Sequence, residues 1–207
     1  MRVKICGLTR AEDALLAESL GAWALGFIFY AKSPRFIEPA AAKEIIARLQ
    51  TPAIGVFVNQ TAAALRIAAE VGLRGIQLHG DETLEEVKAA RAVFNGFLIK
   101  AFRLKTEADL AAIADYKGLV DYILIDAAVD GHYGGSGLRA DGSLASRAKE
   151  FGIPVILAGG LNAENAAAAI AAVQPYAIDL SSGVEATPRI KDHEKMKALF
   201  RAAGGLQ

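Results

Sequence analysis

Val3-Lys4-Ile5-Cys6-Gly7-Leu8-Thr9-Arg10 opens the chain with a pattern that the rest of it repeats. Val3 to Cys6 alternate with period two, so Val3 and Ile5 share one face of a short strand and Lys4 and Cys6 the other. Gly7 tolerates backbone angles that other residues resist and predicts a tight exit. Thr9 followed by Glu12 predicts a capping box, with a helix starting at about Arg10. The only cysteine of the chain thus ends a strand, beside a lysine and facing a helix start. Most free cysteines are small buried hydrophobes; the other strand ends decide whether Cys6 is more than that.

Outward from this unit the same sentence recurs. The first helix runs to Leu20 and stops at Gly21; Ala24 to Phe29 reads as a fully buried strand, followed by the polar loop Tyr30 to Arg35. A helix from Pro39 to Leu49 has proline in its first turn, where the missing N–H costs little. Ile54–Val58 ends at Asn59, and Ala62–Val71 is a helix closed by Gly72. Gly75–Leu78 is a strand ending at His79-Gly80-Asp81, with a helix from Leu84 to Phe94. Strand Phe97–Phe102 and helix Glu107–Tyr116 follow, then strand Tyr122–Ile125, which ends at Asp126. After a glycine-bearing loop come a helix over Leu144–Phe151 and a strand over Pro154–Leu157, ending at Ala158-Gly159-Gly160. Helix Ala163–Val173 takes Asn162 as its cap. Strand Ala177–Leu180 ends at Ser181-Ser182-Gly183, and a helix over His193–Ala203 completes the series.

Eight strand–helix units at a spacing of about 26 residues predict an α/β fold, a single (β/α)8 TIM barrel domain over residues 1–207. The strands are short, apolar and mostly uninterrupted, as parallel strands covered on both faces must be. The rival, an open doubly wound sheet, does not call for eight near-equal units.

A formal charge of zero over 207 residues gives no reason to expect nucleic acid or an anionic membrane as partner. No apolar run reaches the length of a membrane span. A single cysteine makes no internal disulfide, which suits a reducing compartment. A strand from residue 2 or 3 leaves no room for a signal peptide, so the expectation is a cytoplasmic protein. The histidines at 79, 132 and 193 are scattered, with no Cys/His cluster for zinc; neither metal nor cofactor is expected.

Active sites of (β/α)8 barrels lie at the carboxyl ends of the strands. Those ends carry Cys6, Arg35, Asn59, His79, Arg103 and Asp126, and then the small-residue turns Gly159-Gly160 and Ser181-Ser182-Gly183. The seventh and eighth units are where such barrels often grip a phosphate through backbone N–H groups, and glycine lets the backbone approach the anion. Asp126 closes an apolar run with no adjacent cation: a turn carboxylate, or a general acid raised by partial burial. Arg35, after Ser33-Pro34, is either a solvated loop charge or a fork for a carboxylate. Asp179, on the strand that adjoins the first in a closed ring, faces inward by alternation and pairs with Lys4 beneath the site.

Lys4-Ile5-Cys6-Gly7-Leu8-Thr9, Ser33-Pro34-Arg35, Gly55-Val56-Phe57-Val58-Asn59, Gln77-Leu78-His79-Gly80, Gly134-Gly135-Ser136-Gly137, Leu157-Ala158-Gly159-Gly160-Leu161 and Asp179-Leu180-Ser181-Ser182-Gly183-Val184-Glu185 together resemble the phosphoribosylanthranilate isomerase family, in collinear order over the whole chain. The resemblance implies a metal-free Amadori rearrangement of N-(5-phosphoribosyl)anthranilate in tryptophan biosynthesis. It implies Cys6 as general base, Asp126 as general acid and Arg35 as the contact to the anthranilate carboxylate; His79, read from its place at the end of the fourth strand, is either a substrate contact or a satisfied group supporting the site. Gly159-Gly160 and Ser181-Ser182-Gly183 are implied as the phosphate grip. The partner is then a phosphorylated small molecule, with no nucleic acid or membrane, and a monomer is favoured over a homodimer. Lys4, on the strand face of Cys6, would favour the thiolate. The chain departs from the family at Ala140-Asp141-Gly142, where Phe-Asp-Trp is usual; losing two aromatic anchors predicts a more mobile sixth loop. Arg189 also replaces a usual glycine after the proline. Two other classes fit the phosphate turns alone. A sugar-phosphate epimerase or ketose isomerase would want two carboxylates or a metal, and a silent phospho-ligand binding protein would need neither Cys6 nor Asp126.

Overall fold

The computed structural model describes residues 1–126 and 143–204. Eight strands close into a barrel in sequence order: β1 (Arg2–Ile5), β2 (Ala24–Ile28), β3 (Ala53–Phe57), β4 (Gly75–Leu78), β5 (Phe97–Phe102), β6 (Tyr122–Asp126), β7 (Val155–Ala158) and β8 (Ala177–Leu180). All neighbours are parallel, and β8 closes onto β1 with Lys4 opposite Asp179. The helices α1 (Ala11–Ser19), α2 (Pro39–Ile46), α3 (Thr61–Val71), α4 (Leu84–Val93) and α5 (Glu107–Ala111) follow the first five strands. Then α6 spans 143–147, α7 is Ala166–Val173 and α8 is His193–Ala202. The fold is the expected (β/α)8 barrel. No helix among the described residues is long and apolar enough to cross a membrane.

Alternation sorts the strand residues into two layers. Val3, Ile5, Leu25, Phe27, Ile76 and Leu78 pack outward with the helices, while Ala24, Ile54, Ile99, Leu124, Ile156 and Ala177 fill the barrel. Below them, Trp23, Phe97, Tyr122 and Tyr176 meet edge-on or tilted at the amino ends of the strands and plug the base, with ring centroids 5.1 to 6.4 Å apart. Lys4 and Asp179, inward and opposite in register, form a buried ion pair at 2.9 Å. The base of the barrel is therefore apolar and its upper layer charged.

Several element ends differ from expectation. Thr9 and Glu12 make no capping box: Arg10 is the cap residue of α1, with no side-chain bond, and the Thr9 hydroxyl donates to the Arg189 carbonyl at 2.8 Å. A tertiary acceptor has taken the hydroxyl that local sequence assigned to the helix. True capping boxes stand instead at Thr83–Glu86 and Thr106–Asp109. The fifth helix tightens into a 3-10 turn at Ala112–Tyr116, and α6 does so at Ala148–Phe151. Asn162 caps a turn rather than α7 itself, its Oδ1 accepting from the N–H groups of Glu164 and Asn165. After β8 a 3-10 turn, Ser182–Val184, leads into an antiparallel hairpin that the sequence pattern does not announce, β9 (Glu185–Thr187) and β10 (Ile190–Lys191). The Gly134–Gly137 motif and the altered Ala140, Asp141 and Gly142 lie outside the described residues.

Candidate active site

A cavity of about 360 Å³ opens at the carboxyl ends of the strands. Of the residues singled out from the strand ends, Asn59 and Arg103 stay outside its lining, while Cys6, Arg35, His79, Asp126, Gly159, Gly160, Ser181, Ser182 and Gly183 form part of it. Their convergence follows from parallel closure, which brings all eight strand ends to one rim.

Cys6 follows β1 directly, its N–H donating to the Leu180 carbonyl of β8 at 2.8 Å. It is 6% exposed. Gly26 of β2 lies so close that a methyl there would come within 2.7 Å of the Cys6 sulfur, so this glycine is the space the thiol occupies. Burial pushes the Cys6 thiol above its ordinary value, and the positive charges of Lys4 and Lys191 only partly offset that push. Lys4 does favour the thiolate, but burial outweighs it. The ammonium itself stays charged despite its own burial, because Asp179 and then Cys6 hold its pKa up.

Arg35 reaches the cavity from the second loop, with its N–H on the Ser33 hydroxyl at 3.1 Å. Gly7, at φ +73°, lets the arginine stem pass: a methyl at residue 7 would meet Arg35 Cδ at 2.7 Å and Ser181 Oγ at 2.9 Å. The guanidinium meets Glu185 through two bonds, Nε to Oε1 at 2.7 Å and Nη2 to Oε2 at 2.6 Å. Glu185 also accepts from the Lys191 ammonium at 3.1 Å. Burial would raise Glu185, but Arg35 and Lys191 outweigh it and hold the carboxyl below its usual range.

His79 ends β4. The Gln77 amide lies 2.7 Å from its Nδ1, and its Nε2 is 3.7 Å from Asp126 Oδ2. Behind the turn that follows it is a second buried pair, Lys100 and Glu82 at 2.9 Å. Glu82 accepts from the N–H groups of Asn59 and Gly80, and Lys100 donates to the carbonyls of Gly80 and Ala101. The ends of β3, β4 and β5 are bolted together by this pair.

The seventh and eighth turns lie side by side at the rim. Gly159 and Gly160 are consecutive left-handed residues at φ +94° and +57°. The turn is braced by Asn165, which donates to the Gly160 carbonyl and accepts from the Asn162 N–H. Gly183 packs against the Leu161 carbonyl group, so the two turns touch. Ser181 Oγ is buried without a partner among the described residues. No group of three or more His, Cys, Asp or Glu side chains among the described residues could hold a metal ion.

Reading strand ends missed Glu185, Lys191, Glu82 and Lys100. Glu185 had one signal, its place directly after Ser-Ser-Gly-Val; Lys191 and Lys100 had none, since a lysine near a strand end normally reads as solvated.

Residues 3–202 match the family model of N-(5'phosphoribosyl)anthranilate (PRA) isomerase. The N-(5'-phosphoribosyl)anthranilate isomerase of Pseudomonas paraeruginosa is 45% identical over 98% of this chain and 94% of its own. A crystal structure of phosphoribosyl anthranilate isomerase from Thermotoga maritima superposes with a TM-score of 0.89 at 41% identity, covering all of both chains. Another phosphoribosyl anthranilate isomerase, in complex with reduced 1-(o-carboxyphenylamino)-1-deoxyribulose 5-phosphate, gives a TM-score of 0.86 at 38% identity, again over both whole chains.

Proposed function

The chain belongs to the N-(5'-phosphoribosyl)anthranilate isomerase family, and we propose that its rim performs that isomerisation with Cys6 as general base and Asp126 as general acid. One observation carries the reading. A thiol from the residue after β1, a carboxyl from β6 and the two glycine turns line a single cavity of about 360 Å³. β1 and β6 stand three places apart in the ring, with β7 and β8 and their turns between them.

The substrate is N-(5-phosphoribosyl)anthranilate and the reaction belongs to tryptophan biosynthesis. Asp126 gives its proton to the furanose ring oxygen as the bond from that oxygen to C1 breaks. The nitrogen lone pair closes a C1–N double bond, which leaves a cationic Schiff base. That charge acidifies the C2 proton, which the Cys6 thiolate removes; the C–H electrons form the C1–C2 double bond and neutralise the nitrogen. Ketonisation at C2 with protonation at C1 completes the Amadori rearrangement. The transient iminium charge adds to Lys4 and Lys191 in favouring the thiolate that burial disfavours.

Gly159, Gly160, Ser181, Ser182 and Gly183 take the phosphate through backbone N–H groups. Arg35 takes the anthranilate carboxylate, and His79, whose Nε2 is 3.7 Å from Asp126 Oδ2, contacts the substrate beside the acid. All these groups come from one chain, so we take a single copy of the barrel over 1–207, without cofactor, as the working unit.

Loss of substrate fluorescence on turnover tests the division of proton work. A positioned acid or base is worth about 100- to 10,000-fold in rate, so Cys6→Ala and Asp126→Asn should each lose at least the lower figure while still binding product. A folded Cys6→Ala enzyme within about tenfold of the parent, far short of a base's worth, returns Cys6 to the core and removes this mechanism.

A further inference from the structure

We infer that Glu185 is a positioning residue that aims Arg35 at the substrate carboxylate, while Lys191 keeps the cluster cationic enough to attract it. The inference rests on the proposed role of Arg35 and concerns how that role is built.

Glu185 engages the side of the guanidinium, Nε and Nη2, at 2.7 and 2.6 Å. That leaves the end of the fork, Nη1 and the outer hydrogen of Nη2, for a second carboxylate. Glu185 is itself fixed: Lys191 holds Oε1 at 3.1 Å, and Lys195 holds its backbone carbonyl at 2.8 Å. The Lys191 side chain is 0% exposed and is anchored in turn on the Ser181 carbonyl at 3.0 Å. The hairpin explains the arrangement, since β9 and β10 pair Lys191 directly opposite Glu185.

The charge count gives the arrangement its sense. An arginine paired with one carboxylate alone is neutralised and has little pull on a second. Here two cations share one carboxylate, so one positive charge remains at the cluster. Burying three charges for stability alone is a poor exchange, because desolvation commonly cancels the attraction. A fork held rigid before the ligand arrives lowers the ordering cost of binding. Arg35 is the member that lines the cavity, which makes it the one the others serve.

The test measures affinity for two ligands, the reduced product analogue 1-(o-carboxyphenylamino)-1-deoxyribulose 5-phosphate and its phenylamino counterpart lacking the carboxyl group. Parent, Arg35→Ala, Glu185→Gln and the double variant are compared. Glu185→Gln should weaken the carboxylated ligand about tenfold, the worth of one charge-assisted contact, the lost aim of the fork outweighing the pull of the added positive charge, and leave the other within about twofold. With Arg35 already removed, Glu185→Gln should have no further effect. Equal losses on both ligands, no loss on either, or a loss that persists without Arg35 overturns the inference. If Arg35→Ala itself weakens both ligands equally, the carboxylate role of Arg35 is what fails. Should Glu185→Gln not fold with Lys191 left unpaired, Glu185→Gln with Lys191→Met preserves the net charge and is read against the same outcomes.

Discussion

Gly183→Ala tests the phosphate assignment at the point where the two turns touch. A methyl at residue 183 would lie 2.9 Å from the Leu161 carbonyl carbon and closer still to its oxygen. Comfortable carbon contacts begin at about 3.5 Å, so the carbonyl carbon alone requires the turns to part by about 0.6 Å, and the nearer oxygen requires more. Such a shift is enough to lose one N–H contact to a dianion, about 1.5–3 kcal/mol, or roughly 10- to 150-fold in affinity. Overpacking alone costs about 1–3 kcal/mol of stability; at about 2–4 °C per kcal/mol for a chain of this size, the Tm should fall without the fold being lost. The assay is titration calorimetry with the reduced product analogue and with its dephosphorylated form. The phosphorylated ligand should lose its advantage by that factor while the other is nearly unmoved. If the variant folds and either keeps its affinity for the phosphorylated ligand or weakens both ligands equally, the anion is not held at these turns.

Two further outcomes follow. Burial raises the Cys6 thiol, and the base must be deprotonated in the free enzyme, so kcat/KM should climb with pH to beyond the ordinary thiol value of about 8.5; a plateau already reached at pH 7 contradicts Cys6 as base. Arg189 sits exposed at φ +79°, where a side chain costs about 1–2 kcal/mol; allowing about 0.4–1 kcal/mol for the freer unfolded glycine chain, Arg189→Gly should raise the Tm by a few degrees at about 2–4 °C per kcal/mol, and a lowered Tm refutes this reading of the turn.

The barrel was legible because its signals are local and repeat. Each apolar run of four to six residues ended in a polar or glycine turn, and parallel closure does the rest by bringing all the ends to one rim. Features decided by distant contacts were not legible. Thr9 had every local mark of a helix cap, yet its hydroxyl is taken by a carbonyl 180 residues away. The β9–β10 hairpin is too short for period two to register, and Arg189 stands at the positive-φ position of its turn. There a glycine is the easy residue, which gives the departure noticed in the sequence its conformational meaning.

The nine rim residues were found because each sits at a strand end or in the loop that follows. The charges that hold them were not, because a lysine is read as solvated until something shows it buried. Lys4–Asp179 lies under Cys6, Lys100–Glu82 behind the turn that follows His79, and Glu185–Lys191 beside Arg35. Only the first pair was foreseen, because strand adjacency in a closed ring places residue 4 opposite residue 179. The other two bring β5 to a loop and one hairpin strand to the other, registers that no sequence period encodes. Short strands leave the upper barrel without another apolar layer, and the groups that chemistry needs there are polar. Lys4–Asp179 fills that layer from inside, while the other two pairs stand outside the barrel wall and bond backbone atoms of the rim. Replacing such a pair with well-packed apolar side chains is often neutral or stabilising. What these three pairs contribute is accordingly placement: they fix where a thiol, an imidazole and a guanidinium stand before the substrate arrives.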